Sequence, residues 1–430
     1  LREFRTDSLA FVLDCARKYG DWVPFRLGRR QLLLVSDPQA IEEVLLTKSR
    51  EFKKHFALQL TRQLLGNGLL NSEGDFWLRQ RRLAQPAFLR DRIHEYGKMM
   101  IADARSLASE WKAGDRRDLV AEMMGLTLKI ATHTLFDSDD TRDGAIVREQ
   151  LTKSVRLFNL RFKSLLQFPP SWPTPRNLQQ RRITRALNAV IYRYIDQRRR
   201  ESLEGRHDLL SLLLLARDEA TDGSGMTDAQ LRDEVMTLFL AGHETTAVAL
   251  SWAWFLICEH PEVDARLVNE VRTILGDRPL TVDDVPALKF TEAVILETMR
   301  LYPPAYLLGR EALHDVTIAG HRIPTGVTVF MAQWVTQRDP RWWQVPESFR
   351  PERWLDGSTK GLPKYAYFPF GGGPRVCIGN TFAMMETVVV LAEMVRRFRF
   401  ERTSHEPLLP VPSITLRPNK PLDVVLHARI

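Results

Sequence analysis

Cysteine is scarce in this sequence, with three in 430 residues, Cys15, Cys258 and Cys377, far apart and odd in number. No disulfide framework and no paired-cysteine zinc site can be written from them, which fits a reducing cytosol. Long apolar runs are missing as well. The longest, from Ala247 to Cys258, is about 12 residues against the roughly 20 that cross a bilayer, and Glu259 closes it. With no signal peptide or anchor in view the expectation is a cytoplasmic protein, although the chain opens on Leu1 rather than Met and a removed leader stays open. A GxGxxG dinucleotide site is absent, so any reducing equivalents arrive from outside. Internal repeats and low-complexity tracts are absent too.

What is present is ordinary in bulk: 44% hydrophobic and 27% charged residues, the balance of a globular protein with a large core. Length alone would allow two or three domains. The net charge of +8 points to an anionic partner, whether nucleic acid, membrane or acidic protein, and no nucleic-acid motif supports the first.

The distinctive stretch is Phe370-Gly371-Gly372-Gly373-Pro374-Arg375-Val376-Cys377-Ile378-Gly379. Three glycines free the backbone and Pro374 stiffens the exit, so the turn holds one thiol still. A helix follows, with Phe382, Met385, Val389, Met394 and Val395 near helical spacing and Arg396, Arg397 and Arg399 at its end. Cys377 therefore sits just before a helix N-terminus, where partial positive charge favours the thiolate, and a thiolate can ligate iron. Cys15 and Cys258, each in an apolar run, read as core residues.

Phe370, Gly373, Arg375, Cys377 and Gly379 match the haem-ligand loop of the cytochrome P-450 family, which this chain resembles from about residue 8 to 425. The resemblance implies one mostly helical domain with small sheets, spanning residues 1–430, and heme b (iron protoporphyrin IX) as cofactor. Cys377 would be the proximal iron ligand, its thiolate favouring cleavage of dioxygen. Phe370 would pack by the sulfur, Arg375 would reach a haem propionate, and backbone N–H groups near Ile378 and Gly379 would donate to the sulfur.

Three further signatures stand in order along the chain. Trp77 and Arg81, at i and i+4 on a helix starting near Phe76, resemble the family's Trp-x-x-x-Arg pair on a propionate. Thr227 caps a long helix that carries Ala241-Gly242-His243-Glu244-Thr245-Thr246, polar residues in an otherwise apolar helix. Gly242 leaves room over a flat cofactor, the Thr245 hydroxyl can hold dioxygen or water, and Glu244 can relay protons. A structural alternative, Thr245 bonded to a carbonyl one turn back, stays open. His243-Glu244 is no zinc-protease motif, since Ala247 stands where a second histidine is needed. Glu297 and Arg300, at i and i+3, resemble the family's Glu-x-x-Arg, which joins an arginine of Phe349-Arg350-Pro351-Glu352-Arg353-Trp354. Arg353 is taken as that partner, with Arg350 the alternative; Trp354 replaces the family's usual Phe.

After Pro304, Ala305, Leu307 and Leu308 would line the substrate pocket with Leu238, Ala241 and Ile414, and Arg310 would add a propionate contact. These pocket residues are apolar and suit fatty acids, terpenoids, steroids or polyketides equally. The implied activity is oxygen insertion into an apolar small molecule, hydroxylating or epoxidising it. Electrons would come from a ferredoxin or flavodoxin with its NAD(P)H-dependent reductase. Arg79, Arg81 and Arg82 with Arg396, Arg397 and Arg399 would dock that acidic donor, unless they are simply solvated helix faces. Two rivals remain: a haem-thiolate peroxygenase or isomerase using peroxide, against which the Glu244-Thr245 pair argues, and a non-catalytic haem sensor.

Periodicity and turn chemistry supply the remaining expectations. Residues 8–19 read as a helix, Trp22 to Leu27 and Gln31 to Val35 as a hairpin, and Asp37-Pro38 as the start of a helix through Leu46. Residues 50–72 read as loop. Residues 92–215 read as mostly helical, broken at 137–140 and at 168–175, where Phe168 and Trp172 border a channel mouth or touch a membrane. Val316 to Ile323 and Val327 to Trp334, joined by Pro324-Thr325-Gly326, read as a hairpin.

Overall fold

The structure is a computed structural model that describes residues 7–138, 141–163, 169 and 171–429. Helix dominates and the sheets are small, so the chain is mainly α with small β-sheets. It forms two compact units, one of Leu1–His55, Met100–Met124 and Thr245–Ile430, the other of Phe56–Met99 and Gly125–Glu244. The strands, in chain order, are β1 (Trp22–Leu27), β2 (Arg30–Val35), β3 (Phe52–Lys54), β4 (Arg116–Asp118), β5 (Leu308–Ala312), β6 (Val316–Ile318), β7 (His321–Ile323), β8 (Thr328–Met331), β9 (Phe398–Arg402), β10 (Pro410–Pro412), β11 (Leu416–Pro418) and β12 (Asp423–Ala428). Among the described residues every strand belongs to the first unit.

In the first unit the largest sheet runs β1-β2-β8-β5-β3. Its inner face supplies Val35, Val329 and Met331 to a core shared with Ile41, Val44, Ile318 and Ile323. The helix Pro38–Glu42 begins as the sequence dictates: Asp37 accepts from the N–H groups of Gln39 and Ala40, and Pro38 occupies the first turn. It then widens into a π-turn at Glu43–Thr47 instead of continuing regularly. The second half of the helix Asp228–Glu259 is anchored by Trp252, whose ring stacks on Tyr302 at 4.0 Å and whose Nε1 donates to the Leu416 carbonyl at 2.7 Å.

The second unit is built on helices. The helix Asp228–Glu259 starts from a reciprocal cap, with Gln230 N–H donating to Thr227 Oγ1 and Thr227 N–H to Gln230 Oε1. Two turns on, Asp233 accepts from the Asn67 N–H at 2.7 Å and Glu234 from the Leu69 N–H at 2.9 Å. These carboxylates pin a segment built of turns.

Three expectations need correction. Val327 to Trp334 does not pair with Val316 to Ile323: the hairpin is β6 with β7, turning at Ala319 and Gly320, both at positive φ (44° and 82°). Asp315 instead accepts from Thr325, so the Pro324-Thr325-Gly326 turn sends the chain away to β8, which lies parallel to β2 and antiparallel to β5. Residues 50–72 are not merely loop, since β3 pairs with β5 and Arg62–Leu65 is helical. Arg399 lies on β9 rather than at the end of the helix Asn380–Val395. Of the two expected breaks, Asp139, Asp140, Phe168 and Pro170 lie outside the described residues.

His55, next after β3, packs edge-on against Phe330 at 5.4 Å, and a Cβ on Gly309 would come within 2.6 Å of its ring. Burial, reinforced by the Arg310 charge, lowers its pKa from 6.5 to about 4. The folded protein thus keeps the neutral imidazole while the unfolded chain takes a proton below about pH 6.5. The contribution is complete above that pH and is lost as pH falls toward 4, amounting to about 2–3 kcal/mol. Urea unfolding between pH 7 and pH 4.5 should show this slope, and His55→Gln should flatten it; an unchanged slope would remove His55 as its source.

Candidate active site

The cysteine segment is shaped by contacts that only glycine permits. Gly373 sits at φ 64°, and a Cβ there would lie 1.8 Å from the carbonyl oxygen of Leu45 in the π-turn. Gly372 backs onto the ring of Tyr365, where a Cβ would come within 2.3 Å. The loop closes on itself, Gly371 N–H donating to Phe368 O at 2.9 Å and Cys377 N–H to Phe370 O at 3.0 Å. Cys377 is left exposed, three residues ahead of the helix Asn380–Val395, for which Gly379 is the N-cap. Cys258 contrasts with it: it is half-buried, desolvation pushes that thiol up to about 12 and its Sγ faces the Phe400 carbonyl.

What holds the segment is a network centred on a carboxylate with no solvent contact. Glu297 and Arg300, both 0% exposed, pair on the helix Lys289–Leu301 through bonds of 2.8 and 3.0 Å. Arg353 Nε donates to Glu297 Oε1 at 2.9 Å, while Arg350 contributes its backbone N–H at 3.0 Å. Trp354 Nε1 donates to Glu297 Oε2 at 3.0 Å, a bond that a phenylalanine in its place could not make. Arg300 reaches onward to the carbonyls of Gln337, Pro346 and Ser348. Gln337 then donates to the carbonyls of Met299 and Arg300 and accepts from the Phe368 N–H at 3.2 Å. A hydrogen-bonded route thus runs from the buried carboxylate to the first residues of the cysteine loop.

Gln337 and the indole of Trp354 had no sequence signal beyond their neighbourhood; a glutamine between Thr336 and Arg338 fits no motif. Glu386 did carry one, as a lone acid in the apolar run from Ala383 to Leu391. It is fully buried beside the Thr246 hydroxyl, and burial pushes its carboxyl well above the usual range.

On the helix Asp228–Glu259, residues 246–254 are buried, yet Ala241 is exposed and Gly242 and Thr245 are half-buried on the same face. A Cβ on Gly242 would meet nothing within 4 Å. Glu244 is buried on another face, and His243 is a core residue bonded to the Phe239 carbonyl at 3.3 Å. In the first unit, Ala305, Leu307, Leu308 and Ile414 are half-buried. Tyr306 Oη donates to the Ser413 carbonyl at 3.0 Å, tying the segment after Pro304 to the turn before β11. Leu308 also lies 3.5 Å from where a Cβ on Gly371 would sit, so it borders the cysteine loop. Arg375 and Arg310 are half-buried in this unit; Trp77, Arg81 and Leu238 are half-buried in the second, where Arg81 also bonds Gln85 at 3.1 Å.

One thiol left exposed by a fixed loop and two half-buried guanidiniums in the same unit are a donor set that suits an iron porphyrin and its carboxylates. Among the described residues no cluster of three or more His, Cys, Asp or Glu could hold a metal by another route. Several arginines expected at a docking face serve internal partners: Arg82 pairs with Asp218 at 2.9 Å, Arg79 bonds Ser224 and Gly225, and Arg396 bonds the Arg278 carbonyl.

Removing one member of the buried network strands a charge, so Arg353→Leu should cost about 3–5 kcal/mol. Trp354→Phe, which deletes one N–H, should cost about 1–2 kcal/mol. Urea unfolding and haem retention check both, and equal small losses for the two would show that Glu297 does not depend on Arg353.

Comparison with known proteins extends over nearly the whole chain. The family model described as "Cytochrome P450" matches residues 3–426. Cyclooctatin synthase of Streptomyces melanosporofaciens is 35% identical over 402 residues, 93% of this chain and 85% of that protein. Pentalenene oxygenase of Streptomyces avermitilis is 34% identical over 412 residues, 96% of this chain and 91% of that protein. Cyclooctat-9-en-7-ol 5-monooxygenase of S. melanosporofaciens is 34% identical, over 93% of this chain and 84% of that protein. With a family match of that extent joined to the glycine-bound cysteine loop and the Glu297 network, the chain belongs to the cytochrome P450 family and is an oxidoreductase of the monooxygenase type.

Proposed function

We propose that the chain acts as one catalytic domain that binds heme b and inserts a single oxygen atom into a C–H or C=C bond of a largely apolar molecule. The observation that carries this reading is the exposed Cys377 thiol on a loop braced by the Glu297 network. Cys377 would ligate the iron, with Phe370 and Gly379 around the sulfur and Arg375, Arg310, Trp77 and Arg81 on the propionates. Haem, when bound, supplies dioxygen activation.

The protein's own part is to move protons and shape the pocket. Thr245 Oγ1 holds a proton toward the site, and the Glu244 carboxylate relays the next one from the other side of the helix. Gly242 and Ala241 keep that helix face free of bulk. Leu238, Ala305, Leu307, Leu308 and Ile414 exclude water from an apolar substrate. The relatives' names denote unsaturated hydrocarbon skeletons and an alcohol derived from one, which favours cyclic terpenoid-like substrates.

Electrons come from a small acidic ferredoxin or flavodoxin and its NAD(P)H-dependent reductase, in the cytoplasm. With Arg79 and Arg82 committed to internal partners and Arg399 paired with Glu401, Arg397 is the better candidate for its dock.

Two measurements test the reading. Product should form with NAD(P)H and an electron-transfer pair; product formed only with added peroxide would make the enzyme a peroxygenase. Thr245→Ala should keep consuming reductant but release more of it as hydrogen peroxide, with product per reductant falling about tenfold or more. Undiminished coupling would take Thr245 out of the mechanism.

A further inference from the structure

Trp354 and its neighbour Trp343, with ring centres 5.8 Å apart, have opposite electrostatic surroundings. Trp354 Nε1 donates to Glu297 Oε2 at 3.0 Å, and that carboxylate has no solvent contact. Trp343 has the guanidiniums of Arg300 and Arg353 at 5.2 and 5.9 Å from its ring, and its buried Nε1 bonds no group of the described residues. A negative charge at hydrogen-bond distance makes an indole easier to oxidise, because the cation left behind is attracted to it, and low dielectric strengthens that attraction. Two nearby cations make it harder. One cluster thus contains an easy and a hard electron donor side by side.

Tyr367 joins the easy donor to the cysteine loop. Its ring centre is 4.6 Å from that of Trp354, and it stands three residues before Phe370, whose carbonyl accepts from the Cys377 N–H at 3.0 Å. Three residues span at most about 11 Å. Here the chain turns back, with Gly371 N–H donating to Phe368 O, so the path is shorter. Tyr367 is a bridge and not a resting place for the oxidation. An oxidised phenol gives up its proton, whereas Tyr367 Oη donates to the Leu296 carbonyl at 3.0 Å, which is no base, and desolvation holds the phenol well above its usual range. On its other side Trp354 is half-buried, within reach of reductants in solution.

We propose that Trp354 is a redox-active side chain that returns an electron, by way of the Tyr367 ring, to haem oxidised by peroxide when no substrate is bound. The inference rests on the reading that haem binds at Cys377. Hydrogen peroxide, which uncoupled turnover releases, takes two electrons from the haem as its O–O bond breaks, one oxygen leaving as water and the other staying in the site until it too is reduced to water. Trp354 gives up one electron and lowers the oxidation of the haem by one. Its Nε1 keeps its proton, so the radical cation stays hydrogen-bonded to Glu297. A reductant in solution then supplies one electron to Trp354 and restores it. The oxidising equivalent leaves by the indole instead of destroying the porphyrin. Phenylalanine, the family's usual residue at this place, has neither the N–H to hold the carboxylate nor a ring so easily oxidised.

Rapid-freeze electron paramagnetic resonance tests it, on substrate-free haem-loaded protein mixed with hydrogen peroxide, after the carbon monoxide band has shown the haem to be thiolate-ligated. The expected signal is a tryptophan radical that narrows when the protein is grown on ring-deuterated tryptophan. Trp354→Phe should lose that signal, and its haem should bleach faster in peroxide. Tyr367→Phe should keep the signal, since an aromatic ring still fills the gap; its loss there would put the radical on Tyr367 and overturn the assignment. No radical in protein that has the thiolate band, or an undiminished signal in Trp354→Phe, overturns the proposal and leaves the haem reading standing. Absence of the thiolate band overturns both. Should Trp354→Phe fail to hold haem, peptide mapping of the unaltered protein after peroxide decides: oxidised indole at Trp354 supports the proposal, and oxidation absent or confined to other tryptophans overturns it.

Discussion

A carboxylate without solvent must find its compensation inside the protein, and Glu297 finds it in the guanidiniums of Arg300 and Arg353, the indole of Trp354 and the N–H of Arg350. The two arginines are in turn stacked near Trp343, at 5.2 and 5.9 Å from its ring centre. Such a cluster has little value as a source of stability, because desolvation offsets most of the attraction. Its value lies in geometry: the Glu297 carboxylate meets all of these donors in one arrangement only. That arrangement fixes Gln337, and through it Phe368, at the root of the cysteine loop.

The loop then depends on backbone meeting backbone. The Leu45 carbonyl, displaced by a π-turn, occupies the space in which any residue but glycine at 373 would carry its side chain. Tyr365 does the same beside Gly372. Two elements far apart in sequence therefore grip the segment from its flanks, and the thiol of Cys377 is left exposed while the half-buried Cys258 faces the Phe400 carbonyl.

The sequence was most legible where a local rule governs. Asp37 with Pro38, and Thr227, announced helix starts that the structure contains, because a cap is satisfied within a few residues. Glycines in series, a lone cysteine and a helix start were readable as a held thiol for the same reason. It was least legible where partners lie far apart. The turn at Pro324-Thr325-Gly326 looks like a hairpin locally, but β8 pairs in parallel with β2, nearly 300 positions away, as well as with β5. Gln337 was invisible because its role exists only once Arg300 and Phe368 are brought to it. The arginines that looked available for a partner were misread for a related reason: charge is visible in sequence, and its internal use at Asp218 is not.

The account stands on sulfur from Cys377 binding iron. The most direct measurement is the absorption spectrum of the haem-loaded protein, reduced and exposed to carbon monoxide, with the Cys377→His variant beside it. The account predicts the band of a thiolate-ligated iron for the unaltered protein and its loss in the variant. An unaltered protein that gives the spectrum of imidazole-ligated iron would contradict it.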